Sequence, residues 1–501
     1  MKRKSINRIT RRIKGSNQGN QQRPAAPADN SLWSRTLATF NDCSDLTQSS
    51  LNHKHIHFLY FDHLLDKDTL NREVMQPLEE IPEEELSSFL QNEQFEELQT
   101  SEDITEKIVQ GFIAVFLEKD KVFVTNLYGP QTRSVEESET ESTILGNHDA
   151  FIESTSVNLS LIRRRLKTPR LKVITLYAGE ISRTEITLTY IEGLVDKELL
   201  QNVKERINDV EVDAILDSPM FIQMIDDAPY SFFPQYFDSE RPDVVIRNLC
   251  KGKIAGFAAN SPTAFLAPSN FFDFFHSPDD WSQRWAISSA TRLLRMLAFF
   301  ITLTFTAFYV AVTTYHYEMI PEALIIGLAE SRNKVPFTPL IEALLMEITI
   351  ELLREAGARL PTKIGQTIGI VGGIVIGQSA VQAGLVSNTL IIAVAISAIA
   401  SFVMPNYTLS AGLRIARFGL ILLAGALGNY GLLLGIVILL IHLSTLSSLS
   451  TPYFNPIAPL HPRELLRAIL RPPYGSQSMR PTQARTHNKD DIKSIGARNN
   501  E

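Results

Sequence analysis

Apolar positions change their rhythm near residue 285. Before it they come in short runs: HIHFLYFDHLLDKDTLNREVMQPL predicts a strand followed by a helix, and GFIAVFLEKDKVFVTNL predicts two strands across a Lys119-Asp120 turn. A similar order then recurs. Tyr60-Phe61-Asp62-His63-Leu64-Leu65-Asp66-Lys67 is echoed by Tyr190-Ile191-Glu192-Gly193-Leu194-Val195-Asp196-Lys197, and Gly111-Phe112-Ile113-Ala114 by Gly252-Lys253-Ile254-Ala255. Two echoes in one order predict two similar α/β subdomains. After Arg295 the runs lengthen and lose charge: Met296–Thr314, Ile364–Ala383, Val386–Met404, and Phe418–Leu443, which is interrupted at Gly428-Asn429-Tyr430-Gly431. A bilayer core of about 30 Å takes about 20 apolar helical residues. The second part therefore reads as an α-helical polytopic membrane domain.

Within Ile364–Ala383, Gly365, Gly369, Gly373 and Gly377 recur at every fourth position and make a face for close helix packing. Thr367, Val371, Ile374, Gln378 and Gln382 share roughly the opposite face and are the candidate pore lining, with Val371 and Ile374 as a hydrophobic constriction. The preceding PLIEALLMEITIELLREAGARLP gathers Glu347, Glu351, Arg354 and Glu355 on one stripe, a candidate vestibule in which Glu351 and Arg354 compensate each other at i,i+3. Trp281, Trp285, Arg292 and Arg295 mark the entry to the first span as a membrane interface, and Arg414 with Arg417 marks a cytoplasmic end. Topology then fits four to six passes with a cytoplasmic N-terminal side. The last apolar segment reads as one tilted span or as two helices meeting at Asn429.

Charge and composition divide the chain further. The net charge of −7 conceals a basic start, MKRKSINRITRRIKGSNQGNQQR, with eight Lys or Arg and no acid, followed by Glu-rich sequence from Glu73 to Glu141. The expected domains are a basic disordered arm at 1–31, a first subdomain with an acidic linker at 32–165, and a second subdomain at 166–284. A helical membrane domain at 285–450 and a polar, basic, partly disordered tail at 451–501 complete the chain. The basic start leads into no apolar signal core, so both subdomains are expected in the cytoplasm. Cys43 and Cys250 make neither a disulfide framework nor a metal set. His53, His55 and His57 alternate along a strand and read as a solvated face; Arg163, Arg164 and Arg165 read as a basic helix end. Nucleotide-binding, hydrolase and metalloprotease signatures are missing, so no enzyme activity, cofactor, metal or nucleic-acid partner is expected.

ETESTILGNHDAFIESTSVNLSLIRRRL, ERPDVVIRNLCKGKIA, HYEMIPEALI, VPFTPLIEALLMEITIELLREAGARLPTKIG and TPYFNPIAPL together resemble the signature blocks of spore germinant-receptor A subunits of the GerA type, in the same order from about Leu51 to Leu460. The resemblance implies a subunit of the inner spore membrane that works with a transporter-like B subunit and a lipoprotein C subunit. It implies further that the complex senses nutrients and triggers ion release, that nutrient is recognised mainly by the B subunit, and that A subunits form a homo-oligomer, a pentamer, enclosing a nutrient-gated ion channel. Two places depart from the pattern. Ser448-Leu449-Ser450 stands where the family has Ser-Phe-Gly, and Asn147-His148-Asp149-Ala150-Phe151 lacks the glycine after its acidic residue, which questions the local turns. The alternatives are a non-conducting signalling scaffold and, last, a secondary transporter, whose paired broken helices the sequence lacks.

Overall fold

The structure is a computed structural model that describes residues 31–51, 54–130, 138, 141, 143–359, 373, 375–473 and 480–486. The chain forms two compact units, one containing Leu46–Phe61 and Lys67–Leu127, the other Asp42–Asp45, Asp62–Asp66 and everything from Tyr128 onward. The change of unit at Leu127 falls before the 165/166 division expected from the sequence.

In the first unit, β1 (Leu46–Leu51), β2 (Ile56–Phe61), β3 (Glu96–Leu98), β4 (Phe112–Leu117) and β5 (Lys121–Asn126) make an antiparallel sheet in the order β1-β2-β4-β5-β3. Helices α1 (Leu32–Thr39) and α2 (Ser101–Val109) accompany it. Ile56, Phe58, Leu59 and Phe61 are all fully buried, so β2 is apolar on both faces, as a covered central strand must be. The β4–β5 turn runs over Glu118–Asp120 and contains the expected Lys119-Asp120, with Glu118 and Lys119 at positive φ. His55 precedes β2 at φ 51°, His57 packs its ring 5.0 Å from that of Trp33, and His53 lies outside the described residues.

The second unit begins with a sheet of the same design: β6 (Leu171–Ala178), β7 (Thr184–Ile191), β8 (Phe237–Ser239), β9 (Ile254–Ala258) and β10 (Ala264–Ala267), antiparallel in the order β6-β7-β9-β10-β8. Helices α3 (Thr155–Arg165), α4 (Lys197–Asn208), α5 (Ser218–Ile225) and α6 (Pro242–Cys250) accompany it. The predicted repeat is thus a repeat of topology. Its echoed residues have physical work in both copies: Gly111 (φ 92°) ends α2 ahead of β4, and Gly252 (φ 87°) ends α6 ahead of β9, a left-handed position that suits glycine. Asp196, from the first echo, caps α4 by accepting from the amides of Glu198 and Leu199.

The same unit continues into a helical bundle of α7 (Trp285–Tyr315), α8 (Glu322–Arg332), α9 (Pro339–Ala358), α10 (Asn388–Phe402), α11 (Tyr407–Leu427) and α12 (Asn429–Thr445). Of these, α7 and α11 are long and apolar enough to cross a membrane, and α10 and α12 are shorter apolar helices. Contacts give their directions. Tyr315 Oη donates to the carbonyls of Gly425 and Ala426, so α7 and α11 end together. Ser397 Oγ donates to the Thr302 carbonyl and Tyr309 Oη lies 3.2 Å from Ser387 Oγ, so α10 runs against α7. The interruption at Gly428 (φ 62°) is a helical hairpin that sends α12 back along α11, so the last apolar segment is two helices and not one.

After α12 the chain returns to the second sheet. A hairpin of Ser447–Ser448 with Thr451–Pro452 turns at Leu449 (φ 49°) and Ser450 (φ 59°), so the glycine missing at this turn leaves two side-chain-bearing residues in left-handed conformation. Ala150, at the other departure, is buried and requires no positive φ. Beyond the hairpin the Phe271 amide donates to the Tyr453 carbonyl and Asn270 Nδ2 donates to Gln483, which fastens the segment around α13 (Pro462–Ile469) to the sheet's own loops. Phe271, Phe272, Phe275, Phe299 and Phe454 form one aromatic core across this joint. Truncating a ring in such a core costs about 3–5 kcal/mol.

Candidate functional site

Helix α9 carries its charges inward at a four-residue interval, which keeps Glu347 and Glu351 on one face. That face meets α11, where Arg417 is fully buried. Arg417 Nη2 lies 2.6 Å from Glu347 Oε2 and 3.3 Å from Glu351 Oε1, and Arg417 Nη1 donates to Ser397 Oγ of α10 at 3.1 Å. Glu347, also fully buried, accepts from Thr306 Oγ1 of α7 at 2.9 Å. Glu351 is shared by three cations, with Arg414 at 3.1 Å and Arg354 at 3.4 Å. Arg354 Nη2 in turn donates to Ser401 Oγ at 2.8 Å and its guanidinium lies over the Phe402 ring.

Four helices therefore converge on two carboxylates and three guanidinium groups. A buried charge is tolerable only when paired and hydrogen-bonded, and here each carboxylate has both kinds of partner. Glu351 has three cationic neighbours, so one of them can leave without stripping it of compensation, whereas Glu347 pairs with Arg417 alone among the described residues. Toward the start of α9, buried Glu342 accepts the Ser387 amide that opens α10 at 2.9 Å, and Arg332 Nη2 stands 4.0 Å away.

Among the candidate vestibule residues, Glu347, Glu351 and Arg354 come together, and the i,i+3 compensation expected of Glu351 and Arg354 is present. Glu355 sits apart, exposed, with Arg359 at 2.6 Å. The sequence reading of Arg414 and Arg417 as a cytoplasmic marker missed their pairing with Glu347 and Glu351. The available signal was their position inside an apolar segment, where a guanidinium requires a partner. Of the candidate pore lining, Thr367, Val371 and Ile374 lie outside the described residues, as do Gly365 and Gly369. Gln378 and Gln382 are exposed on the helical stretch 375–382, and a Cβ placed on Gly373 or Gly377 would meet nothing within 4 Å.

A second charged joint sits where the sheet-bearing part meets α7. Asp280, only 1% exposed, receives Arg292 Nε at 3.0 Å and Arg295 Nη1 at 2.8 Å, so the two interface arginines clasp the preceding turn. Farther along, Ser231 Oγ and His442 Nε2 of α12 are hydrogen-bonded at 3.0 Å, the Phe232 ring stacks on His442, and the Phe232 carbonyl lies against Gly412 so closely that a Cβ would approach it to 2.4 Å. The 226–236 loop thus grips α11 and α12 together.

A family model described as Bacillus/Clostridium GerA spore germination protein matches residues 35–483. The chain is 42% identical to spore germination protein GerQA of Bacillus cereus over 87% of its length and 88% of that protein's. It is 37% identical to the uncharacterized membrane protein YfkQ of Bacillus subtilis strain 168, over 92% of each. Among solved structures, the crystal structure of the N-terminal domain of the A subunit of the Bacillus megaterium spore germinant receptor GerK3 covers 47% of this chain and 92% of its own, at 22% identity and a TM-score of 0.37.

Proposed function

The chain belongs to the GerA spore germination protein family, and from that membership we propose that it is the A-type membrane subunit of a nutrient receptor which oligomerises into a nutrient-gated ion channel. Its role lies in spore germination. The observation that carries the channel reading is the stretch at 373–382: Gly373, Gln378 and Gln382 are exposed, and a Cβ placed on Gly373 or Gly377 would meet no described residue within 4 Å. Copies packed about an axis, a pentamer on this reading, would bury the glycines against each other and turn the amides, with Thr367, Val371 and Ile374, toward a central path.

The B-type and C-type receptor subunits and the surrounding lipid are the proposed partners, and the inner spore membrane the proposed location. Since the chain enters the bundle from the second sheet and returns to it, the number of crossings is even, and six follows if 364–382 makes a pass. The N-terminal region and the segment after α12 then share the cytoplasmic side. Nutrient held by a partner subunit would favour the open arrangement through its higher affinity for that state. Exchange of partners around Glu351 gives the bundle a way to change helix positions at little electrostatic cost.

Reconstitution of the purified chain in a planar bilayer tests the reading. Unitary currents whose conductance changes in Gln378→Leu and Gln382→Leu are expected. A silent bilayer, with B-subunit binding intact, would leave the non-conducting scaffold. One observation favours that second reading: the carboxylates taken as a vestibule are already neutralised by Arg354, Arg414 and Arg417.

A further inference from the structure

Four cations crowd the ring of Trp281 just before α7. The guanidinium of Arg247 lies 4.4 Å from the ring centroid, and those of Arg292 and Arg471 and the Lys251 ammonium each lie 5.4 Å from it. Beside the ring is a cavity of about 140 Å³ whose wall includes Lys251, His276, Arg292, Arg467 and Arg480. The four cations among them come from three separate segments, the end of α6, the start of α7 and the chain around α13, so positive charge surrounds the space instead of flanking it.

The wall also contains two acids, and both are engaged. Asp273 holds Lys253 Nζ at 2.6 Å and accepts the Asn270 amide, while Glu464 accepts from the amide and hydroxyl of Thr482. Arg292 is 97% buried by its 3% exposure, and Asp280 and the Arg467 carbonyl take its Nε and Nη1. Its Nη2, buried in the same wall, has no hydrogen-bond partner among the described residues. A charged donor left unpaired in this way loses its solvation without a replacement, so an acceptor entering the cavity would be held there. Lys251 responds to the same surplus: burial, then Lys253, Arg247 and Arg292, hold its ammonium down to about 8 against the pull of Asp273.

We propose that this cavity binds a phosphate group, carried either by an anionic lipid headgroup or by free phosphate, with Arg292 Nη2, Lys251 and Arg467 as its donors. A tetrahedral anion with several acceptor oxygens suits cations arriving from three directions, where a planar carboxylate would reach two. Trp281 and the adjoining start of α7 set the cavity at the level of lipid headgroups if α7 spans a membrane. The site does not depend on conduction, since it lies apart from the Glu347–Arg417 cluster.

The test uses the full chain. Thermal unfolding in neutral detergent is compared in phosphate and in chloride at equal ionic strength, and then in nanodiscs of phosphatidylcholine with and without phosphatidylglycerol. A higher Tm with inorganic phosphate assigns free phosphate, and a higher Tm with phosphatidylglycerol alone assigns the headgroup. In either case Arg467→Gln, and Lys251→Gln in a second variant, should weaken binding about tenfold, the equivalent of one charge-assisted hydrogen bond, while exposed Arg463→Gln leaves it unchanged. No stabilisation by either source, or full stabilisation in folded Arg467→Gln and Lys251→Gln proteins, would overturn the site.

Discussion

Two fully buried guanidinium groups invite comparison, Arg163 in the sheet-bearing part of the second unit and Arg417 in its bundle. Arg163 meets one carboxylate squarely: Nε and Nη2 donate to the two oxygens of Asp45, the former at 2.5 Å, and Nη2 also reaches the Leu171 carbonyl. Arg417 divides itself between Glu347 and Glu351, and Glu351 also serves Arg354 and Arg414. The first arrangement fixes a geometry, tying α3 and the start of β6 to the Asp42–Asp45 stretch. The second tolerates substitution of one partner by another. Pairing is fixed at Asp45 and shared at Glu351.

Substitution should separate the two. Arg163→Ala leaves Asp45 buried with its charge uncompensated and is expected to cost about 3–5 kcal/mol, read as the loss of Tm in detergent. Acid should act on the same centre next. Burial, outweighing the attraction of Asp45 3.8 Å away, holds His63 down to about 4. A histidine kept neutral contributes stability that is complete above its unfolded pKa near 6.5 and disappears as pH falls toward 4, on the order of 3 kcal/mol. His63→Gln should flatten the decline of Tm between pH 7 and pH 4; an unchanged slope would remove His63 from the explanation.

Arg414→Ala should cost less than Arg163→Ala, about 2 kcal/mol, because Arg354 and Arg417 remain on Glu351. If the two losses are equal, the distinction between fixed and shared pairing fails. The smallest expected effect calibrates the rest. Ser450→Gly relieves a left-handed serine in an exposed turn and should stabilise by about 1 kcal/mol in the same melts.

Local signals made much of this legible in the sequence. The Tyr60–Lys67 and Tyr190–Lys197 echoes revealed the repeat because each carries a strand end and the turn after it, and Gly111 and Gly252 because a helix must stop in left-handed conformation before a strand. Spacing within α9 put Glu347, Glu351 and Arg354 together for the same reason. What stayed hidden was long-range. Nothing near Arg417 names Glu347 as its partner seventy positions earlier, and nothing in the polar residues after Thr445 indicates that Tyr453 and Gln483 dock on the loop at Asn270 and Phe271. Tertiary packing decides such pairings, and sequence period carries no record of them.

The docking of the segment after α12 has a mechanical consequence. Asp280 fastens the strand of chain entering the bundle, Tyr453 and Gln483 fasten the one leaving it, and both anchors sit on loops of a single sheet. The helices are therefore a loop of rope tied at both ends to one board. Tilting the board pulls on both ends at once, so a small rotation of the sheet is delivered to the first and the last helix together and cannot be absorbed by a slack terminus.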